Sequence, residues 1–116
     1  MKVTIVEDQK DFYSPFRIYI DDTEELNRIA DARQKAHGKV TYFDDTNPDN
    51  DYDGWYNFII DTDGEKVTKM YYEDEAGNYI DSIAISEEDK MSLMEQIIEY
   101  FGGREAYETV CKEWRL

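Results

Sequence analysis

Hydrophobic residues cluster into three short segments between residues 55 and 85, and each segment is rich in the β-branched and aromatic residues typical of strands. The segments are Trp55–Ile60, Lys66–Tyr72 and Tyr79–Ile85. The polar stretches between them, DTDGE and EDEAGN, each contain a glycine that can supply the positive φ of a tight turn. The sequence therefore predicts an antiparallel β-meander over about residues 55–85.

Hydrophobic residues take up helical spacing after residue 85. Ser86 followed by Asp89 is close to a capping box, and the acidic residues after Ser86 suit the positive end of a helix. Gly102-Gly103 ends this helix, which we place over Ser86–Phe101, and a last helix follows over Arg104–Trp114. The stripes expected to face the core are Met91, Met94, Ile97, Ile98 and Phe101 in the first helix and Tyr107, Val110, Cys111 and Trp114 in the second.

The N-terminal part of the chain mixes strand and helix signals. The predicted elements are a strand over Lys2–Val6, a strand over Phe16–Ile20, a helix over Glu24–His37 and a strand over Lys39–Phe43. Asp22 or Thr23 can cap the helix, whose thin apolar stripe is typical of a surface helix. Residues 44–54, DDTNPDNDYDG, are predicted to form a loop because they carry the turn signals Asn-Pro and Asp-Gly.

These elements define an α+β fold in a single domain over residues 1–116. It combines the antiparallel β-meander with two C-terminal helices and an N-terminal strand-strand-helix-strand segment. The meander strands are apolar on both faces. We expect the C-terminal helices to cover one face and the N-terminal strands and helix to cover the other.

The size and cysteine content narrow the class of protein. A chain of 116 residues with 41% hydrophobic residues can bury one core without disulfides. The single cysteine, Cys111, excludes an internal disulfide and any zinc site with several cysteines. The first residues, MKVTIVEDQK, lack the apolar region of a signal peptide, so we expect a cytoplasmic protein.

The net charge of −15 changes the functional picture most. Such a charge repels phosphate groups, so it argues against direct binding to nucleic acid or to an anionic membrane. The excess is also uneven, because residues 44–81 carry 12 acidic residues and only Lys66 and Lys69 as bases. An acidic solvated surface and a functional negative surface are the two interpretations, and the asymmetry favours the second.

The sequence gives no indication of an enzyme or a cofactor. The only histidine, His37, lies at the expected end of a helix, where the helix dipole favours its charged form. Cys111 lies on an apolar stripe between Val110 and Trp114, where a small buried side chain is the ordinary interpretation. No phosphate-binding, dinucleotide-binding or nucleophile-elbow motif is present. We predict no catalytic residues.

The segment Asp49–Gly54, DNDYDG, resembles the first half of an EF-hand calcium loop, with carboxylates at loop positions 1, 3 and 5 and glycine at position 6. Position 12, which supplies a bidentate glutamate in an EF-hand, is Ile60 here. Weak Ca²⁺ binding completed by Asp61 or Asp45 is one interpretation of this loop. An acidic turn without a metal is the other, and we predict no metal site.

The acidic residues also form short rows. Asp49, Asp51 and Asp53 alternate along the chain, as do Asp61, Asp63 and Glu65 in the next turn. In an extended chain, residues two apart point the same way and lie about 6.5 Å apart. A rigid protein with such rows can occupy the basic groove that a partner uses for DNA, and it gains the same counterion release and steering as the DNA.

In these features the chain resembles the small acidic inhibitors of phages that act against CRISPR or restriction nucleases as DNA mimics. The shared features are the size, a pI near 4, a tyrosine-rich meander with acidic turns and a capped helix after the last strand, SIAISEEDKMSLMEQIIEYF. The resemblance is one of composition and assigns no residues. It implies that the partner is a Cas9-type or similar nuclease, blocked where it reads the PAM duplex or holds its nucleic acid.

The charge pattern together with this resemblance implies an acidic protein inhibitor of a nuclease. An immunity protein that neutralises a specific toxin and a calcium-responsive binding module stay open as alternatives. Tyrosines next to the acidic residues are the expected anchors, since buried aromatic side chains slow dissociation. The predicted partner-binding residues are Asp44, Asp45, Asp49, Asp51, Asp53, Asp61, Asp63, Glu65, Glu73, Asp74, Glu75, Tyr52, Tyr71 and Tyr79.

Overall fold

A four-stranded antiparallel sheet forms the centre of the molecule in the computed structural model, which describes residues 1–37 and 56–115. The strands are β1 (Arg17–Ile20), β2 (Asn57–Thr62), β3 (Val67–Glu73) and β4 (Tyr79–Ile83), and they lie in the order β1-β2-β3-β4. Because β2, β3 and β4 are consecutive neighbours, the predicted meander is confirmed. The predicted strand Lys39–Phe43 and the loop of residues 44–54 lie outside the described residues.

The described helices are α1 (Gln9–Phe12), α2 (Glu24–His37), α3 (Glu87–Tyr100) and α4 (Arg104–Arg115). Thr23 caps α2, since its Oγ1 accepts the backbone N–H of Leu26 at 3.1 Å. The capping box of α3 is complete: Ser86 Oγ accepts the N–H of Asp89 at 3.0 Å, and the Asp89 carboxylate accepts the N–H of Ser86. The α+β fold is therefore the one that the local signals predict.

The predicted strand Lys2–Val6 is wrong in its extent. Its pairing with the sheet is limited to an isolated bridge between Ile5 and Ile20, in which the N–H of Val6 donates to the Tyr19 carbonyl oxygen at 3.2 Å and the N–H of Asp21 donates to the Thr4 carbonyl oxygen at 2.8 Å. Further back, the N–H of Val3 donates to the Gln96 side chain on α3 at 2.9 Å, so this part of the segment contacts a helix instead of continuing beside β1.

The short helix α1 was not predicted, because its sequence QKDF has no apolar period. It is fixed instead by Gln9, which is completely buried. The Gln9 amide donates to the carbonyl oxygens of Ser14 and Arg17 and accepts the N–H of Tyr19 at 2.8 Å. These bonds satisfy a buried polar side chain and attach α1 to β1.

The core lies on one face of the sheet. Phe58 and Ile60 of β2 and Tyr72 of β3 point to this face and are almost fully buried. The C-terminal helices cover it, mainly through Leu93, Met94 and Ile97 of α3 and Tyr107 and Cys111 of α4. Burial of apolar side chains at this scale is the main stabilising contribution to the fold.

The expectation that the N-terminal elements cover the second face of the sheet is wrong for β1 and α2, while the predicted strand Lys39–Phe43 lies outside the described residues. Strand β1 pairs with β2 and therefore extends the sheet instead of packing over it. Leu26 and Ala30 of α2 are buried in the same cluster as the side chains of α3 and α4. The described helices with buried apolar stripes thus share one face.

The buried stripe of α3 differs from the predicted one. Leu93, Ile97 and Phe101 follow one another at intervals of four residues and are buried, whereas Met91 is 67% exposed. Ile98 is half-buried at the margin of the core. In α4, Tyr107 and Cys111 are buried as predicted, but Trp114 is exposed. The sequences of α3 and α4 each contain more apolar residues than one face of a helix can bury.

Candidate interaction surface

The second face of the sheet carries a row of large side chains that we call the tyrosine face. Tyr19, Ile59 and Tyr71 lie side by side on β1, β2 and β3, because the register pairs Tyr19 with Ile59 and Ile59 with Tyr71. Ile59 is completely buried and Tyr71 is 6% exposed, although neither belongs to the main core cluster. The tyrosine face comprises Arg17, Tyr19, Ile59, Asp61, Lys69, Tyr71, Glu73 and Tyr79.

Acidic side chains in the middle of the tyrosine face are paired with cations. Arg17 Nη2 lies 2.7 Å from Glu73 Oε2, and Lys69 Nζ lies 3.8 Å from Asp61 Oδ2. Asp61 and Lys69 are direct partners across β2 and β3, a position that favours opposite charges. The centre of the sheet is therefore close to neutral, even though the chain as a whole is strongly acidic.

Aromatic rings reinforce these pairs. The Arg17 guanidinium lies 5.4 Å from the ring centre of Tyr19 and 5.9 Å from that of Tyr71, within the range of cation–π attraction. The Tyr71 hydroxyl donates to Asp61 at 3.3 Å. Burial, with a further contribution from the Asp61 charge, raises the pKa of Tyr71 to about 12. Tyr71 is thus neutral at physiological pH, and its hydroxyl donates its hydrogen bond to Asp61 within the protein.

The first acidic turn connects β2 to β3 and is held by its own carboxylate. Asp63 Oδ1 accepts the backbone N–H groups of Glu65 and Lys66, each at 2.9 Å. The N–H of Lys66 and then that of Glu65 lower the pKa of Asp63. Arg115 donates to the Asp63 carbonyl oxygen at 2.8 Å, and Gly64 takes the positive φ that the turn requires. The Asp63 and Glu65 side chains are exposed on a fixed turn.

The second acidic turn connects β3 to β4. Asp74 is only 6% exposed, and its Oδ1 accepts the N–H groups of Ala76 and Asn78 at 2.9 Å. Burial raises the pKa of Asp74, but the hydrogen bonds from Asn78, Ala76 and Gly77 together outweigh burial and lower the pKa. Asp74 therefore holds the turn, and Glu75 is its exposed acidic side chain.

The two acidic turns lie at opposite ends of the meander. One precedes β3 and the other follows it, and β3 contains seven residues. At about 3.4 Å per residue, the eight steps from Lys66 to Asp74 place the turns roughly 27 Å apart. The acidic sequence of residues 61–75 thus folds into two separated groups of carboxylates rather than one cluster.

The structure divides the predicted partner-binding residues into three groups. Asp63, Glu65 and Glu75 are exposed on the turns, Tyr79 is 58% exposed, and Asp61 is partly exposed. Glu73, Asp74 and Tyr71 are buried and hydrogen-bonded within the protein. The residues outside the described ranges are Asp44, Asp45, Asp49, Asp51, Asp53 and Tyr52.

An acidic stripe on α3 was not predicted as part of the surface. Glu88, Glu95 and Glu99 are exposed on this helix. They are seven and four residues apart, so they lie on one side of the helix. This helical spacing is visible in the sequence, but it lies outside residues 44–81, where the acidic excess is concentrated.

Other kinds of site are limited by what the described residues contain. Within residues 1–37 and 56–115, no group of three or more His, Cys, Asp or Glu side chains is placed to hold a metal ion. None of the described helices is both long and apolar enough to span a bilayer. The loop that resembles half of an EF-hand, and the side chain of His37, lie outside the described part of the structure.

Comparisons with known proteins add no relative: no protein-family model matches this chain, and no curated protein or solved structure is significantly similar to it.

Proposed function

We propose that this protein is an acidic inhibitor that binds the basic nucleic-acid-binding surface of a nuclease, of the Cas9 or restriction type, in the cytoplasm of a bacterial cell. The observation that carries the proposal is the pair of fixed acidic turns, Asp63–Lys66 and Asp74–Asn78, at the two ends of a rigid meander. The inhibitor would exclude DNA by occupying its groove.

The distribution of charge supports this proposal. The described residues carry 23 acidic and 12 basic side chains, a net charge of −11 of the total of −15. In the middle of the tyrosine face, Glu73 and Asp61 are neutralised by Arg17 and Lys69. The uncompensated excess therefore lies elsewhere on the surface, where it can attract a basic partner at long range.

The spacing of the turns also suits a DNA groove. B-DNA advances 3.4 Å per phosphate along each strand, so the distance of roughly 27 Å between the turns corresponds to about eight base-pair steps. The hydrogen bonds of Asp63 and Asp74 fix both turns before binding, which reduces the entropy lost on association.

The proposal is tested by measuring binding to a Cas9-type nuclease and to a panel of restriction endonucleases, with and without their DNA. We expect one of them to bind, with an affinity that falls steeply as salt rises, and we expect its DNA to compete. A panel without any binder, or a flat salt response with DNA and inhibitor bound together, would contradict the proposal.

Two variants with equal charge locate the binding energy. The variant Asp63→Asn, Glu65→Gln, Glu75→Gln removes the exposed carboxylates of the turns and keeps the Asp63 acceptor oxygen. The control Glu25→Gln, Glu105→Gln, Glu113→Gln removes three exposed carboxylates from α2 and α4. At about 1 kcal/mol for each contact, the turn variant should bind roughly 100-fold more weakly. The control should bind within about threefold of the wild type. Equal losses would show that only the total charge matters.

A further inference from the structure

An apolar groove opens between the first acidic turn and α3. It has a volume of about 320 Å³. We call it the methionine groove: its floor is formed by Val67, Met91, Met94 and Ile98, and Glu65 and Glu95 stand at its rim. A volume near 300 Å³ is at the lower end of the range for ligand pockets and exceeds the volume of one large side chain.

The floor is well suited to receive a side chain from another molecule. Val67 and Met94 are almost fully buried and form a firm base, whereas Met91 is 67% exposed. Methionine is unbranched and polarizable, so it adapts to a guest of irregular shape. A partner that covers Met91 gains the free energy of removing this side chain from water.

The charges at the rim decide which partner fits. Three cations line the groove: Lys90 Nζ lies 3.2 Å from Glu87 and Arg104 lies 3.8 Å from Glu108, whereas Lys66 forms no ion pair with a side chain that the structure describes. Among the side chains that the structure describes, no cation forms an ion pair with Glu65 or Glu95. The groove therefore offers an occupant two carboxylates against one ammonium group, so its rim is negative and lies next to an apolar floor.

We propose that the methionine groove receives an aromatic or large aliphatic side chain of a basic protein partner, with flanking Lys or Arg residues placed at Glu65 and Glu95. A second copy of this chain is disfavoured as the occupant by the net charge of −15 on each molecule. The inference rests on the proposed function for the basic character of the partner, and it adds the position of the anchor. Tyr71 cannot serve as that anchor, because it is buried within the tyrosine face.

The inference is tested without any nuclease, by titrating the protein with the peptide Lys-Lys-Trp-Lys-Lys. The methionine methyl groups are labelled and observed by NMR. The tryptophan ring current should shift the methyl signals of Met91 and Met94. Met70 serves as an internal control because it is fully buried in the sheet. Peptides in which Ala replaces Trp, or Glu replaces the lysines, are the matched controls, and neither should shift Met91 and Met94.

Two variants separate the floor from the rim. Met91→Ser should weaken binding of the Trp peptide by about tenfold and leave binding of the Ala peptide unchanged. The double variant Glu65→Gln, Glu95→Gln should weaken the binding of both peptides that contain lysine, the Trp peptide and the Ala peptide. Equal affinity for the Trp and Ala peptides, or stronger binding of the Glu peptide, would overturn the inference.

The same variants distinguish the two proposals. If the nuclease binds the wild type and Met91→Ser equally well, the methionine groove is not the anchor, and the inhibitor function stands. If the Trp peptide binds in the groove and no nuclease does, the groove stands as an interaction surface, and the proposed function fails.

Discussion

Glu73 and Asp74 are adjacent carboxylates that are both buried, and the fold places them in opposite electrostatic environments. Glu73 is paired with Arg17, yet burial outweighs this attraction and raises the pKa of Glu73 above its ordinary value. Asp74 is surrounded by N–H donors, which outweigh burial and lower its pKa. Ionisation of Glu73 therefore lowers the stability of the fold, whereas ionisation of Asp74 raises it.

The first prediction concerns Glu73→Gln. A carboxyl group whose pKa is raised by folding binds its proton more readily in the folded state, so acidification favours folding at this residue. The unfolding free energy of the wild type should therefore increase relative to that of Glu73→Gln as the pH falls from neutral through the pKa of Glu73. Urea denaturation at a series of pH values measures this difference. A constant difference would show that Glu73 titrates alike in both states.

The second prediction is the opposite slope for Asp74→Asn. The lowered pKa of Asp74 contributes stability above the pKa of an unfolded aspartate, and this contribution is lost as the pH falls through the lower, folded pKa. The wild type should thus lose stability relative to Asp74→Asn on acidification, in the same denaturation series. Asparagine keeps an acceptor oxygen for Ala76 and Asn78, so the turn is preserved. Parallel slopes for the two variants would contradict both assignments.

Among the elements, α3 was correctly predicted as a helix, but the side of it that faces the core was predicted incorrectly. The capping box and the double glycine give its bounds almost to the residue. Seven apolar positions lie between Met91 and Phe101 if Tyr100 is counted, and they surround more than half of the helix. Contacts with β3 and α4 select the side with Leu93 and Ile97. Met91 is left to form the methionine groove.

The third prediction compares two aspartate substitutions in α3. Ile97 is completely buried, so Ile97→Asp places a charge without a partner in the core and should destabilise the fold by about 4 kcal/mol or prevent folding. Met91→Asp changes a side chain that is 67% exposed and should alter the unfolding free energy by less than about 1 kcal/mol. Thermal and urea denaturation measure both. Similar losses in the two variants would mean that the stripe of α3 is misassigned.

For the whole molecule, the net charge of −15 is larger than solubility requires, and the repulsion within it opposes folding. Local pairs such as Arg17–Glu73 and Lys69–Asp61 relieve this repulsion at the centre of the sheet. Elsewhere carboxylates lie near one another, as Glu65 of the first turn and Glu95 of α3 do at the methionine groove. A protein that keeps such a surface is expected to gain something from it other than stability.

The fourth prediction is that salt stabilises the protein. Raising NaCl from about 10 mM to about 300 mM shortens the Debye length from roughly 30 Å to less than 10 Å and screens the repulsion between carboxylates. The melting temperature should rise by several degrees over this range. The pH is held constant and no denaturant is added, so that the melting temperatures differ only through the screening of charges by NaCl. A falling melting temperature would show that the ion pairs outweigh the repulsion.

The sequence alone determined the α+β class, the order of the meander strands, the start of α2 and the caps of α3. These features depend on residues within one turn or one strand of each other: a glycine with a positive φ, Thr23 with Leu26, or Ser86 with Asp89. Local interactions of this kind are readable from spacing because the chain itself fixes the distance between the groups.

Tertiary structure decided which of the acidic and aromatic residues are exposed and which are buried. Glu73 is buried and accepts a hydrogen bond from Arg17, which lies 56 residues away in the sequence. The N-terminal segment is held to α3 at Val3, whose N–H donates to Gln96, 93 residues away in the sequence. The distances between these side chains cannot be read from the sequence, because each of these contacts forms only when the whole sheet and its helices are assembled.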